Sequence, residues 1–166
     1  LPEAQLDRFF FKVNVPFPST DELVEILGRT TGSQEASAQP IASGADIIAM
    51  RELTRQVPIA SHVSEYVARL TVATHPESPT APDMVKKYVR YGASPRGAQA
   101  MILGAKATAL LAGRYNVSFE DVHSVAPAAL RHRLLLNFEG LAEGIQTDQV
   151  IQELIAILSA SIRVKG

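Results

Sequence analysis

Apolar side chains recur every three to four residues through most of this chain, with polar or proline-rich breaks between the periodic stretches. Ser19-Thr20-Asp21-Glu22 has the form of a capping box, and Leu23, Ile26 and Leu27 follow as a stripe, which predicts a helix over about residues 20–30. Residues 31–42, TGSQEASAQPIA, are small and polar and read as a loop. Ser43 with Asp46 opens the next helix, where Ile47, Met50, Leu53 and Val57 keep helical spacing until Pro58. Ser61 is the expected cap of a helix that carries Val63, Tyr66, Val67 and Leu70 and ends near His75. The three prolines of PESPTAPD (76–83) then require an exposed loop.

Ser94 as cap and Pro95 at the first helical position start the strongest intrinsic helix, an Ala-rich segment reaching about Gly113. Ser118 with Asp121 starts another over 118–133, which Pro127 should kink or split. Thr147 is the expected cap of the last helix, whose stripe is Val150, Ile151, Leu154, Ile155 and Leu158. MVKKYVRY (84–91) fits either a helical turn or an extended end. At the N-terminus, PEAQLDR (2–8) can make a helical turn led by Pro2, and FFFKVNV (9–15) reads as a strand stopped by Pro16 and Pro18. A lone strand leaves its backbone groups unpaired, so its sheet is expected to lie outside this chain. Six helical segments and one strand make the class mainly α, and no internal repeat is visible.

Composition narrows the picture. The chain has 166 residues, 46% hydrophobic and 20% charged, which is ordinary for a globular protein. No stretch approaches the roughly 20 uninterrupted apolar residues of a membrane span. There is no cysteine, hence no disulfide or thiolate metal site. With no leader-like segment either, the expected location is cytoplasmic. Leu1 opens directly into a helical turn, which reads as a piece of a longer protein. The net charge of −1 is uneven, because residues 84–135 carry eight basic and two acidic side chains. That excess suits an anionic partner, although no recognition helix or interleaved aromatics accompany it, which argues against nucleic acid.

The pattern with chemical content is Gly92-Ala93-Ser94-Pro95-Arg96-Gly97. A capped helix N-terminus presents outward amide N–H groups and a partial positive charge, and Arg96 adds a full one. A cation is electrostatically wrong there, so either an anion occupies the site or a surface arginine is tolerated at a cost of about 0.3–1 kcal/mol. Arg8 can pair with Glu3, Asp7 or solvent. Arg131-His132-Arg133 ends a helix, where cations favour the dipole and need no ligand. His123 and His132 are nine positions apart, which does not fit a shared metal, and His62 and His75 read as surface residues. Asn116-Val117-Ser118 matches a glycosylation acceptor by chance. No segment supplies the G-x-x-x-x-G-K-[ST] phosphate loop, since Gly92 to Gly97 has the glycine spacing but is followed by Ala98-Gln99. No acidic Walker-B cluster follows an apolar strand.

LPEAQLDRFFFKVNVPFPS, GASPRGAQAMILGAKATALLAGR and VSFEDVHSVAPAALRHRL, in that order and spacing, resemble the C-terminal half of MoxR-type AAA+ ATPases over nearly the whole chain. The resemblance implies a helical-bundle AAA+ lid at 18–166 and, at 1–17, the end of an α/β nucleotide-binding core with one helical turn and one strand. It makes Arg96 the sensor-2 arginine that touches ATP phosphates, with Ser94 and Pro95 beside it. Arg8 becomes the candidate finger reaching ATP held by a neighbouring subunit. It further implies that the full-length parent binds ATP and Mg²⁺ and hydrolyses ATP in a homo-oligomeric, hexameric ring, driving chaperone-like remodelling of a partner with a von Willebrand-type metal-binding domain. The present chain, lacking Walker A and B, is expected to hold no cofactor tightly and to be inactive alone. The competing reading is a stand-alone helical module that binds nucleic acid or an acidic protein.

Overall fold

The computed structural model of the protein describes residues 3–32 and 37–163, with side chains for 5–32 and 37–161. Pro2, expected to lead the first helical turn, and residues 33–36 of the expected loop lie outside these. The described residues form two compact units, one running to residue 12 and resuming at 53, the other spanning 13–52. The class is mainly α, as the periodicity predicts.

In the larger unit, α1 (Glu3–Leu6) is a single turn. Beyond residue 53 come the end of α3 (Gly44–Gln56), then α4 (Ser61–Ala73) and α5 (Asp83–Tyr88). Strand β1 (Val89–Tyr91) leads into α6 (Pro95–Leu111), followed by α7 (Phe119–Leu130). Strand β2 (Leu135–Leu136), α8 (Phe138–Ala142) and α9 (Thr147–Arg163) complete the unit. The undecided stretch 84–91 is therefore helix for most of its length and strand at its end. Strands β1 and β2 are antiparallel, with Val89 opposite Leu136 and Tyr91 opposite Leu135 across an irregularity. Asn137 secures the corner: its N–H bonds the Tyr88 carbonyl at 2.8 Å and its side chain caps Gly140 of α8 at 2.9 Å.

Leu70 of α4, Met101 of α6, Leu130 of α7, and Ile151 and Leu154 of α9 are fully buried at the centre. Burying each such side chain contributes about 1.5–3 kcal/mol. Helices α6 and α7 form the most extensive pair because the buried face of α6, Met101 apart, is small: Gly97, Ala100, Gly104, Ala105 and Ala109. A Cβ on Gly97 would lie 3.1 Å from the Leu130 side chain and 3.2 Å from that of Arg133, and one on Gly104 would lie 2.6 Å from the Phe11 ring. The hydrogen in place of a side chain thus admits both α7 and the N-terminal segment.

The local start signals hold with two shifts. Ser118 and Asp121 cap α7 reciprocally, and Ser94 caps α6 with Pro95 first in the helix. Ser61, however, is already helical: Ala60 occupies the cap position, and its carbonyl takes the amides of Val63 and Ser64. Thr147 is likewise the first helical residue, preceded by Gln146, whose N–H bonds the Gln149 side chain at 2.9 Å. Pro127 does not split α7, which is continuous from 119 to 130.

Residues 9–15 pair with no strand among the described residues, as expected of a segment whose sheet lies outside this chain. Several backbone groups of residues 9–12 are bonded within the larger unit. The Lys12 amide bonds the Ala128 carbonyl at 2.9 Å, and the carbonyls of Phe9, Phe10 and Lys12 accept from side chains at the end of α7. Extended backbone needs partners rather than a sheet as such, and arginine and histidine donors supply them.

The smaller unit holds α2 (Thr20–Thr30) and the start of α3. Ser19 and Glu22 make the full capping box, with the Ser19 amide 2.8 Å from Glu22 Oε2, and Ser43 and Asp46 bond in the same manner. Glu25 and Arg29 pair one turn apart. Its described residues include no buried one, and Val24, Ile26, Leu27, Ile47, Ile48 and Met50 are exposed.

Candidate functional site

The N-terminus of α6 is held from behind by the end of α4. Thr74 Oγ1 accepts the Ala93 N–H at 2.9 Å, and His75 Nε2 donates to the Ala93 carbonyl at 3.0 Å. Both backbone groups of Ala93 are thus fixed just before the cap. His75, expected at the surface, instead has a side chain only 36% exposed and a structural task. Ser94 Oγ accepts the Arg96 N–H at 3.2 Å, which satisfies one of the orphan donors of the helix.

An anion stands at this end within the chain itself. Asp7, on the turn after α1, receives Ser94 Oγ at 2.8 Å on Oδ1 and Arg96 Nη1 at 2.9 Å on Oδ2. Arg133 Nε donates to Oδ1 at 3.0 Å. Burial pushes the Asp7 carboxyl upward, but the hydrogen bonds from Ser94, Arg96 and Arg133 outweigh it and hold the group below the ordinary carboxylate range. Only Nη1 of Arg96 is engaged among the described residues. Its side chain is 56% exposed.

Arg131, His132 and Arg133 do more than complement a helix dipole: all three hold residues 7–12. Arg131 Nη1 donates to the Lys12 carbonyl at 2.9 Å while pairing with Asp148 through Nε and Nη2. His132 Nε2 donates to the Phe9 carbonyl at 3.0 Å. Arg133, with a side chain 2% exposed, donates to the backbone oxygens of Asp7, Phe9, Phe10 and Ala129. Burial lowers the His132 pKa, the Phe9 bond opposes this, and the nearby Arg133 charge adds to it. His132 Nδ1 is buried without a partner, in keeping with a neutral ring protonated on Nε2. An open cavity of about 190 Å³ is lined by Asp7, Tyr91, Gly92, Ser94, His132, Arg133 and Leu135.

The structure therefore brings Ser94, Pro95 and Arg96 together with Asp7 and Arg133, two residues that sequence reasoning did not assign to the site. Arg8, the adjoining residue, is exposed and makes no side-chain hydrogen bond or ion pair among the described residues. Asp7, its possible partner, is committed to Arg96 and Arg133. The only sequence signal for Asp7 is its place beside Arg8. Nothing local announces contacts 89 and 126 positions apart.

Much of the basic excess is compensated internally. Lys87 pairs with Glu139 and Glu143, Arg114 with Asp121, Arg131 with Asp148, and Lys106 bonds the Arg55 carbonyl. His62 is exposed against the Phe119 ring, and His123 bonds the Tyr66 hydroxyl at 2.8 Å. No metal-binding cluster occurs among the described residues, and no described helix is long and apolar enough to cross a membrane.

Residues 82–154 match the AAA lid domain family. The chain is 38% identical over 155 residues to the protein named Chaperone MoxR1 of Mycobacterium tuberculosis, covering 93% of this chain and 41% of that one. It is 31% identical over 166 residues to protein YeaC of Bacillus subtilis, covering 98% and 48%. A crystal structure titled "putative ATPase" from Cytophaga hutchinsonii superimposes with a TM-score of 0.86 at 33% identity, covering 94% of this chain and 48% of that chain. The chain thus spans somewhat under half the length of these relatives. Fold and match together define a helical lid of the AAA+ class. Within that class, the chain belongs to the MoxR-type AAA+ ATPases, matching their C-terminal part.

Proposed function

We propose that this chain is the lid, with residues 1–17 closing the α/β core, of an ATPase that binds and hydrolyses Mg²⁺·ATP between the subunits of a hexameric ring. The observation that supports this best is Arg96: a guanidinium at a capped helix N-terminus, oriented through one nitrogen by Asp7, on a side chain 56% exposed. That geometry suits a second anion, and a nucleotide phosphate matches the fork. ATP would supply the phosphoryl group, and Mg²⁺ would neutralise its charge. Ser94 and Pro95 present the helix end, Arg96 holds the phosphates of its own subunit, and Arg8, exposed and unpaired among the described residues, reaches across to the neighbour's. The work done is chaperone-like remodelling in the cytoplasm of a partner with a von Willebrand-type metal-binding domain.

The test is made in the full-length protein. Arg96→Ala should weaken nucleotide binding, turnover or both. Arg8→Ala should lower turnover while leaving ATP affinity nearly intact, since a finger stabilises charge arising in transfer and is worth about 10³–10⁵ in rate elsewhere. Wild-type affinity and turnover in both variants would refute the reading. The 166-residue chain alone, with no phosphate loop, should show no turnover.

A further inference from the structure

Asp7 stands between the two arginines of the proposed machinery. Its carboxylate holds Arg96 Nη1 at 2.9 Å, and the next peptide unit carries Arg8. The turn itself is fixed from behind, because Arg133 bonds both the Asp7 carboxylate at 3.0 Å and the Asp7 carbonyl at 2.9 Å. Arg133 is buried and bonded to three further carbonyls, so it offers Asp7 a rigid anchor. Ser94, which caps α6, donates to the same carboxylate. One carboxylate therefore determines how Arg96 leaves its helix and where the backbone of Arg8 begins.

Resting on the reading above, we propose that Asp7 is a positioning residue that couples the two arginines, aiming Arg96 at its own subunit's phosphates and Arg8 at the neighbour's. Loosening either contact of Asp7 displaces the finger as well as the sensor. No hydrogen bond joins the two arginines among the described residues, so the coupling runs through Asp7 and the turn that follows it.

The experiment uses mixed rings of full-length protein. An Arg8→Ala subunit keeps an intact ATP site, and a subunit with its phosphate-loop lysine replaced keeps an intact finger. Mixing them restores turnover wherever the second lies beside the first. The donor's own ATP site is dead, so the rate recovered reads the finger's placement alone. Adding Asp7→Asn to the donor should lower the recovered turnover about 10-fold or more, with Asp7→Glu regaining part of it. Adding Arg96→Ala to the donor should lower it too, and this arm leaves the Asp7–Arg133 anchor intact if Asp7→Asn does not assemble. Recovery equal to that of the phosphate-loop donor in an assembling Asp7→Asn ring, or in the Arg96→Ala ring, overturns the coupling and leaves the functional reading standing. No recovery from the phosphate-loop donor itself, in rings shown to co-assemble, removes the trans role of Arg8 and the coupling with it.

Discussion

Arg133 grips Asp7 at two points, donating through Nε to the carboxylate at 3.0 Å and through Nη2 to the backbone oxygen at 2.9 Å, across 126 positions of chain. The pair ties the N-terminal turn to the end of α7, and its charge is almost wholly removed from water on the arginine side. Truncating one partner of a buried pair leaves the other's polar groups uncompensated, so Arg133→Ala should cost about 3–5 kcal/mol. Arg133→Lys should recover little, since one ammonium cannot reach a carboxylate and four carbonyls that a planar fork serves. Urea denaturation of the three proteins measures this, and a lysine variant as stable as wild type would contradict it.

Two histidines set a pH dependence. Burial holds the His123 ring below its ordinary pKa despite the Glu120 charge, and burial does the same for His132. A depressed folded value means the unfolded state binds the proton better. The associated stability is complete above the unfolded pKa of about 6.5 and is lost as pH falls through the folded values. Melting temperature should therefore be flat near pH 8 and decline toward pH 5. His132→Gln, which retains a donor for the Phe9 carbonyl, should flatten that decline. An unchanged slope would show that His132 does not contribute to it.

Asp121 governs the start of α7. It accepts Arg114 Nη1 at 2.8 Å and Nη2 at 2.5 Å, and it returns the Ser118 cap. The Arg114 bonds first, opposed by burial and helped by Ser118, hold its carboxyl below the usual range. Asp121→Asn keeps the shape but loses the charge-assisted bonds, for an expected loss of about 1.5–3 kcal/mol at pH 7. The difference between variant and wild type should shrink as pH falls below about 4 and the folded carboxylate titrates. Paired urea titrations at pH 7 and pH 3 read both parts.

Gly104 tests the fit of the N-terminal segment. Its missing Cβ would lie 2.6 Å from Phe11 Cζ, closer than packed atoms allow. Gly104→Ala should lose about 1–3 kcal/mol through that clash even though alanine is the better helix former. Combining it with Phe11→Leu should cost less than the two changes added. Strict additivity in the double-mutant cycle would place the strain elsewhere.

Helix positions are legible in this sequence because their signals are local. The Ser19–Glu22, Ser43–Asp46 and Ser118–Asp121 boxes join residues three apart, and the apolar stripes of α6, α7 and α9 repeat within a turn or two. Even there, Ser61 and Thr147 sit one residue inside the helices they were expected to cap, because neighbouring Ala60 and Gln146 meet the first amides. Ser94 and Pro95 are legible as a helix start for the same local reason, while the wrong-signed charge of Arg96 leaves open an anion or a tolerated surface arginine, and in the structure Asp7 stands against it. Which anion answers was a tertiary matter. Asp7, Arg133 and the clamp on residues 9–12 depend on contacts that no periodicity encodes, so part of a segment with strong strand propensity is bonded by arginine and histidine side chains. Propensity reports what a backbone segment prefers next to its own neighbours; the packed lid decides which distant donors and acceptors it meets.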